Sequence, residues 1–327
     1  MKRTNRILAS VIAGIMLMVS ITGCGTKECK EEIPVSDFIL AEVSPIEKIS
    51  DEDKPKQYFS EVEKASEELT DEINAEGENI LKWLNKKYNL NWIYKDVETY
   101  ITADKGYLDN WLGQLYDGKI YIYIDAIKEE KEIRFIITHE LIHYLCCINT
   151  GTPFRWSETE EGLYGETLGE STTEYLNRLY LNEDQDFWRG EWINTSSYYQ
   201  GVFSIAAMEE VIPEAAKLVL KNDIDELEKK FNQKFFELNG EIDGLNPFRK
   251  FLGLMDYNMT AEDEEGDHRS EMVSSQLLQL ECIFSMQEDQ TKTLRNISGF
   301  YEKIWGWKKH DSAIKLLDDL YAESLIS

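Results

Sequence analysis

The sequence predicts an α+β protein, with a small β-sheet subdomain over residues 56–198 and a mostly α-helical subdomain over residues 199–327. Three observations carry this. Ile120-Tyr121-Ile122-Tyr123-Ile124 alternates β-branched and aromatic residues and is the clearest strand in the chain. The stretch from Ile133 to Ile148, through Phe135, Ile136, Ile137, Leu141, Ile142, Leu145, Cys146 and Cys147, is apolar almost all the way round, as a helix buried within a domain must be. After Tyr198 the apolar residues recur at helical spacing to the end of the chain.

Taken in order, the chain opens on what reads as an export signal over residues 1–23. Lys2, Arg3 and Arg6 form a basic start, Ile7 to Ile21 is an apolar run short for a bilayer span, and Ile21-Thr22-Gly23-Cys24 follows. That tetrapeptide resembles the bacterial lipobox. The resemblance implies that Cys24 becomes an acylated N-terminus, anchored by lipid at the outer face of a bacterial membrane. An ordinary secretory peptide or an anchor helix is the alternative. Residues 24–55, with Pro34, Pro45, Pro55 and many charges, read as a tether.

The net charge is −27, from 62 acidic and 35 basic residues, and loss of residues 1–23 would deepen it by three. Such a polyanion disfavours nucleic acid and anionic lipid as partners. The membrane association expected here runs through the lipid alone.

From Gln57 to Tyr88 the apolar spacing predicts one or two amphipathic helices, with Gly77 as a break. Trp92-Ile93-Tyr94 and Thr99-Tyr100-Ile101 are β-prone, and Asp117-Gly118 reads as the hairpin turn before Ile120. Helical spacing returns over Val202 to Val211, Pro213 to Leu220, Ile224 to Leu238, Ser274 to Phe284 and Ile314 to Leu325. Cys29, Cys146, Cys147 and Cys282 imply no disulfide framework, and the adjacent pair reads as small buried residues.

The chemistry is concentrated in His139-Glu140-Leu141-Ile142-His143. Two imidazoles four positions apart share one face of a helix, so their ring nitrogens can converge on a single zinc ion. Glu140, beside them, can reach a water and take its proton. Two unrelated histidines at this spacing are the bland alternative. Burying Glu140 and both imidazoles unpaired would cost several kcal/mol, which a bound dication offsets.

A strand followed directly by a helix carrying this motif resembles the zincin metallopeptidases. In that fold an edge strand runs along the cleft and pairs with an extended substrate; Ile120 to Ile124 is the matching segment. Zinc that activates water needs three protein ligands and an open position. The metzincin pattern requires Gly and His where Cys146 and Asn149 stand, and no Asp occurs between His143 and Asp184. Glutamates remain, which implies the gluzincin type, and Glu170 is preferred among them.

Gly169-Glu170-Ser171-Thr172-Thr173-Glu174 resembles the gluzincin segment in which the liganding Glu is followed, four residues on, by an acid that hydrogen-bonds a zinc-bound His. Glu174 would be that acid. Leu168, Thr172, Tyr175, Leu176 and Leu179 would form the opposite, packed face. Glu166 and then Glu161 lead the other candidates, ahead of Glu158, Glu160 and Glu174, and the competing account pairs Glu174 with Arg178 at i,i+4 and leaves Glu166 and Glu170 on a solvated face. Gluzincins add a donor to the transition-state oxyanion; Tyr199 and, after it, His268 are favoured here, with Tyr198 and Tyr257 also available.

The resemblance thus implies a zinc peptidase on a bacterial lipoprotein, acting on a peptide or protein substrate. The competing expectation is a non-catalytic surface lipoprotein that binds peptide or cell-wall material on the same scaffold.

Overall fold

A computed structural model describes residue 39 and residues 62–102, 112–123, 130–151, 158–159, 162–163, 166–181, 199–260 and 269–287. Their elements run β1 (Val62–Lys64), α1 (Glu67–Tyr88), β2 (Glu98–Thr102), β3 (Gly113–Tyr116), β4 (Lys119–Tyr123), α2 (Glu130–Thr150), β5 (Glu158–Thr159), β6 (Gly162–Leu163) and α3 (Glu166–Leu181). Five helices follow: α4 (Tyr199–Val211), α5 (Ala215–Leu220), α6 (Ile224–Asn239), α7 (Pro247–Thr260) and α8 (Arg269–Ser285). The architecture is α+β, a small four-stranded sheet within a mostly helical chain.

Helix α1 starts where its cap dictates. Ser66 Oγ accepts from Leu69 N at 3.2 Å, Glu67 and Glu68 occupy the first turn, and Lys86 and Lys87 the last. Val62–Lys64, expected to be helical, is instead a strand paired antiparallel with β2. Gly77 does not break the helix. It is buried beneath Tyr94, and a Cβ there would stand 2.6 Å from the ring's Cζ, so the glycine admits a close approach.

Trp92-Ile93-Tyr94 joins no sheet. Side-chain amides supply what a neighbouring strand would: Asn85 bonds both the N–H and the carbonyl of Trp92 (3.1 and 3.0 Å), and Asn149 does the same for Ile93 (2.9 and 3.0 Å). The backbone groups are satisfied without a ladder.

The sheet order is β1-β2-β4-β3, with β2 and β4 parallel and the other pairs antiparallel. Asp117 and Gly118, both at positive φ, turn β3 back onto β4 as the hairpin signal predicts. This corrects the assignment of the edge. The Ile120 strand is flanked on both sides, and Ile120 and Ile122 are buried in the core; the edges are Val62–Lys64 and Gly113–Tyr116, and the second of these lies against α2. A short strand holding one glycine has too little apolar periodicity to declare itself.

Helices α4, α5, α6 and α8 fall where apolar spacing places them. Helix α7, not singled out from the sequence, starts at Pro247, whose fixed φ suits the first helical position, and buries Phe248 and Phe251 against Phe231 of α6 at centroid distances of 5.6 and 5.3 Å. A continuous cluster of buried apolar side chains runs from Ile73 to Met286.

Within the expected tether, Ile39 is helical and packs against this core, and its carbonyl accepts from Lys250 Nζ at 2.6 Å. Among the described residues no helix is long and apolar enough to cross a membrane. Residues 1–23, Cys24, Cys29, Ile124 and the helix expected at 314–325 lie outside the described residues.

Candidate metal centre

Helices α2 and α3 pack face to face, and a polar clasp sets their register. The Thr138 hydroxyl bonds to Asn177 Oδ1, and Asn177 Nδ2 donates to the Phe135 carbonyl at 3.0 Å, all of it buried. One turn of α2 separates His139 from His143, and their Nε2 atoms stand 3.1 Å apart. Across from them, on α3, Glu170 Oε2 lies 3.2 Å from each Nε2. His139, His143 and Glu170 form a group able to hold a metal ion, with ligand atoms all within 4.8 Å of one another.

The backs of both rings are held. His139 Nδ1 faces Glu174 Oε2 at 3.2 Å, and Glu174 Oε1 makes a 2.7 Å ion pair with Arg178 Nη2. His143 Nδ1 faces the Thr173 hydroxyl at 3.4 Å. With Nδ1–H as donor in each ring, the Nε2 lone pairs point at one another and at Glu170. The two accounts of Glu174 are therefore both realised: it binds Arg178 and His139 together. Of the solvated face expected at Glu166 and Glu170, Glu170 is only partly exposed while the rest of positions 168–178 are buried, and the Glu166 side chain lies outside the described residues.

Glu140 lies between this triangle and the sheet, close enough to His139, His143 and Glu170 to feel their charges. It is 8 % exposed, and its neighbour is β3, where a Cβ on Gly113 would collide with Ile136 Cγ2 and lie 3.3 Å from Glu140 Cγ. Glycine lets the edge strand lie directly on the motif helix. A second such approach stands behind Glu170: a Cβ on Gly201 of α4 would fall on Ser171 Oγ and 2.7 Å from Ser171 Cβ.

Electrostatics sort these carboxyls. Burial raises the Glu140 pKa, partly countered by His139 and His143. Burial also opposes ionisation of Glu170 and Glu174, yet the histidines hold Glu170 well below the usual carboxylate range, and Arg178 with His139 lowers Glu174. Burial by itself would lower His139, but hydrogen bonds to Glu170 and Glu174 outweigh it and push the imidazole up to about 10. The site is a field that draws positive charge, and a dication answers it.

The donor set fits such an ion. Nitrogen and oxygen ligands about 2.1 Å from a tetrahedral centre are about 3.4 Å from each other. The edges of the His139–His143–Glu170 triangle, 3.1, 3.2 and 3.2 Å, lie close to that. No family model, curated protein or solved structure matches the chain.

Glu166 begins α3 a turn before Glu170, its side chain outside the described residues, and Cys146 and Cys147 stand outside the triangle. Cys146 is buried, its thiol against the Leu220 carbonyl at 3.0 Å, and Cys147 is partly buried. Tyr199 is the first residue of α4, its side chain outside the described set; Tyr198, His268, the Tyr257 side chain and Glu161 also lie outside it. Thr173 and the buried end of Arg178 were missed from the sequence. The available signal was Glu170, Thr173, Glu174, Asn177 and Arg178, a polar stripe at i, i+3, i+4, i+7 and i+8.

Proposed function

We propose that this chain is a zincin-like, gluzincin-type zinc peptidase, lipid-anchored through Cys24 at the outer face of a bacterial membrane and acting on peptide or protein substrates. The observation that carries the reading is the pairing of a two-histidine, one-glutamate triangle with a buried, non-liganding carboxylate on the next residue of the same helix. A purely structural metal site has no use for Glu140.

Zinc held by His139, His143 and Glu170 would supply Lewis acidity toward a scissile carbonyl and toward water. Glu140 takes the proton of the attacking water and returns it to the departing amine nitrogen, and its raised pKa suits both duties. Glu174 and Thr173 keep the imidazole Nε2 atoms turned inward. Tyr199 is the proposed donor to the oxyanion, with His268 as the second choice.

The edge strand supplies a place for substrate. Tyr123 N donates to the Leu112 carbonyl at 3.1 Å, so in the alternating antiparallel pattern the N–H and C=O of Gly113 and Leu115 point away from β4. The Leu115 N–H is near enough to Glu140 to favour its ionised form, which puts that open edge on the side of the base. An extended peptide pairing there would pass Glu140.

The test compares two variants for zinc content and for cleavage of a mixed peptide library. Glu140→Gln should keep zinc and lower hydrolysis by about 10²-fold or more. Glu170→Gln should lose zinc. Cleavage by Glu140→Gln equal to wild type overturns the mechanism, and a wild type that binds zinc and peptide without turnover is the non-catalytic binder.

A further inference from the structure

We infer that Arg178 is a positioning residue for the metal centre, acting through Glu174 on His139; the inference rests on the proposal that the His139–His143–Glu170 triangle binds zinc. Arg178 is 1 % exposed, a burial that its charge tolerates only with a partner. Its partner is Glu174, also 1 % exposed, at 2.7 Å. On the other side of the guanidinium lies the ring of Phe135, 5.2 Å from Cζ to centroid. Phe135 stands one helical turn before His139 on α2. Arg178 thus links α3 back to the helix of the histidines, beside the Asn177 bond to the Phe135 carbonyl.

The geometry gives this cation more to do than neutralise an acid. A glutamate carboxylate turns about a broad, two-fold terminal torsion, so one hydrogen bond does not set its plane. Glu174 is held at both oxygens, Oε1 by Arg178 and Oε2 by His139 Nδ1. Fixing the first directs the second. With Oε2 on the Nδ1 side of the ring, the Nε2 lone pair stays aimed at Glu170 and His143. A lysine in this position would keep the charge and lose the rigid planar guanidinium that reaches Glu174 Oε1 while lying over the Phe135 ring.

The experiment measures zinc affinity by competition with a chromophoric chelator, and the d–d spectrum of the cobalt(II)-substituted protein, in the full mature chain. Wild type, R178M, R178K, E174Q and the double variant E174Q/R178M are compared, with circular dichroism as the check on folding. The expected result is a zinc Kd weakened about 10–100-fold by R178M, with an altered cobalt spectrum, and no further weakening when R178M is added to E174Q. R178K should recover part of the loss. The double variant removes both buried charges together, so it remains informative if R178M alone fails to fold, and R178K then stands in for it against wild type.

Wild-type affinity and spectrum in a folded R178M or R178K overturn the inference, as does an equal loss in the wild-type and E174Q backgrounds. A wild type that binds no zinc overturns this inference together with the metal site. Zinc binding without peptide cleavage overturns only the peptidase reading.

Discussion

Gly201→Ala probes how tightly α4 is pressed onto the helix that carries Glu170. The added methyl would fall on Ser171 Oγ, which a rotamer change could relieve, and 2.7 Å from Ser171 Cβ, which it could not. Carbon atoms settle at about 3.5–4.0 Å, so the two helices must part by about 1 Å and give up part of the dispersion energy along their contact. Overpacking of this kind costs about 1–3 kcal/mol, and the better helix propensity of Ala returns at most about 1 kcal/mol. A net loss near 2 kcal/mol lowers Tm by roughly 4–8 °C for a domain of this size. Urea unfolding and thermal melts measure it. Because Ser171 adjoins Glu170, zinc affinity should fall in the same variant, and Ser171→Gly in the same chain should recover both. A Gly201→Ala protein as stable as wild type refutes the close approach.

Gly113→Ala should push β3 off Ile136 and Glu140 and lower peptide cleavage by about tenfold or more while zinc content stays at the wild-type level; Ile136→Ala added to it should restore activity. Removing metal with a chelator should lower Tm, since a ligand at a hundred times its Kd stabilises by about 2.7 kcal/mol, and zinc readdition should reverse the shift; a Tm indifferent to saturating zinc speaks against the site. Asn85→Ala should cost about 2–3 kcal/mol in urea unfolding, because it strips the Trp92 backbone of both its side-chain partners. Cys24→Ala should abolish incorporation of labelled lipid, and unchanged labelling ends the lipoprotein reading.

What could be read ahead of the structure was what one helix settles on its own. His139 and His143 are a turn apart by helix geometry, and Glu170 with Glu174 likewise, so each half of the site was legible separately. The preference for Glu170 comes from a resemblance, and Glu170 Oε2 lies 3.2 Å from each Nε2. Features joining distant segments were not legible. Strand strength points to Ile120, one strand past the edge that lies on α2, because apolar strength marks the buried centre of a sheet. Gly77 was taken for a break because the ring that covers it, Tyr94, lies 17 positions further on in a segment that looked like a strand. The Arg178 environment was hidden for the same reason: the charge partner is local, but the burial and the Phe135 ring are not.

The seat of Ile39 on α7 would set the mechanics of the proposed lipid attachment. A chain held at Cys24 and first grounded at Val62 would be a leash of roughly 130 Å fully drawn, letting the body swing freely above the membrane. Grounded at Ile39, it has about fifteen residues of slack, roughly 50 Å. If the proposed lipid attachment holds, it would pull on the helical half near Lys250 rather than on the sheet and confine the protein to a shallow layer above the membrane, with its many acidic groups opposing close contact with anionic lipid. Reach, as much as cleft chemistry, would decide which substrates it meets.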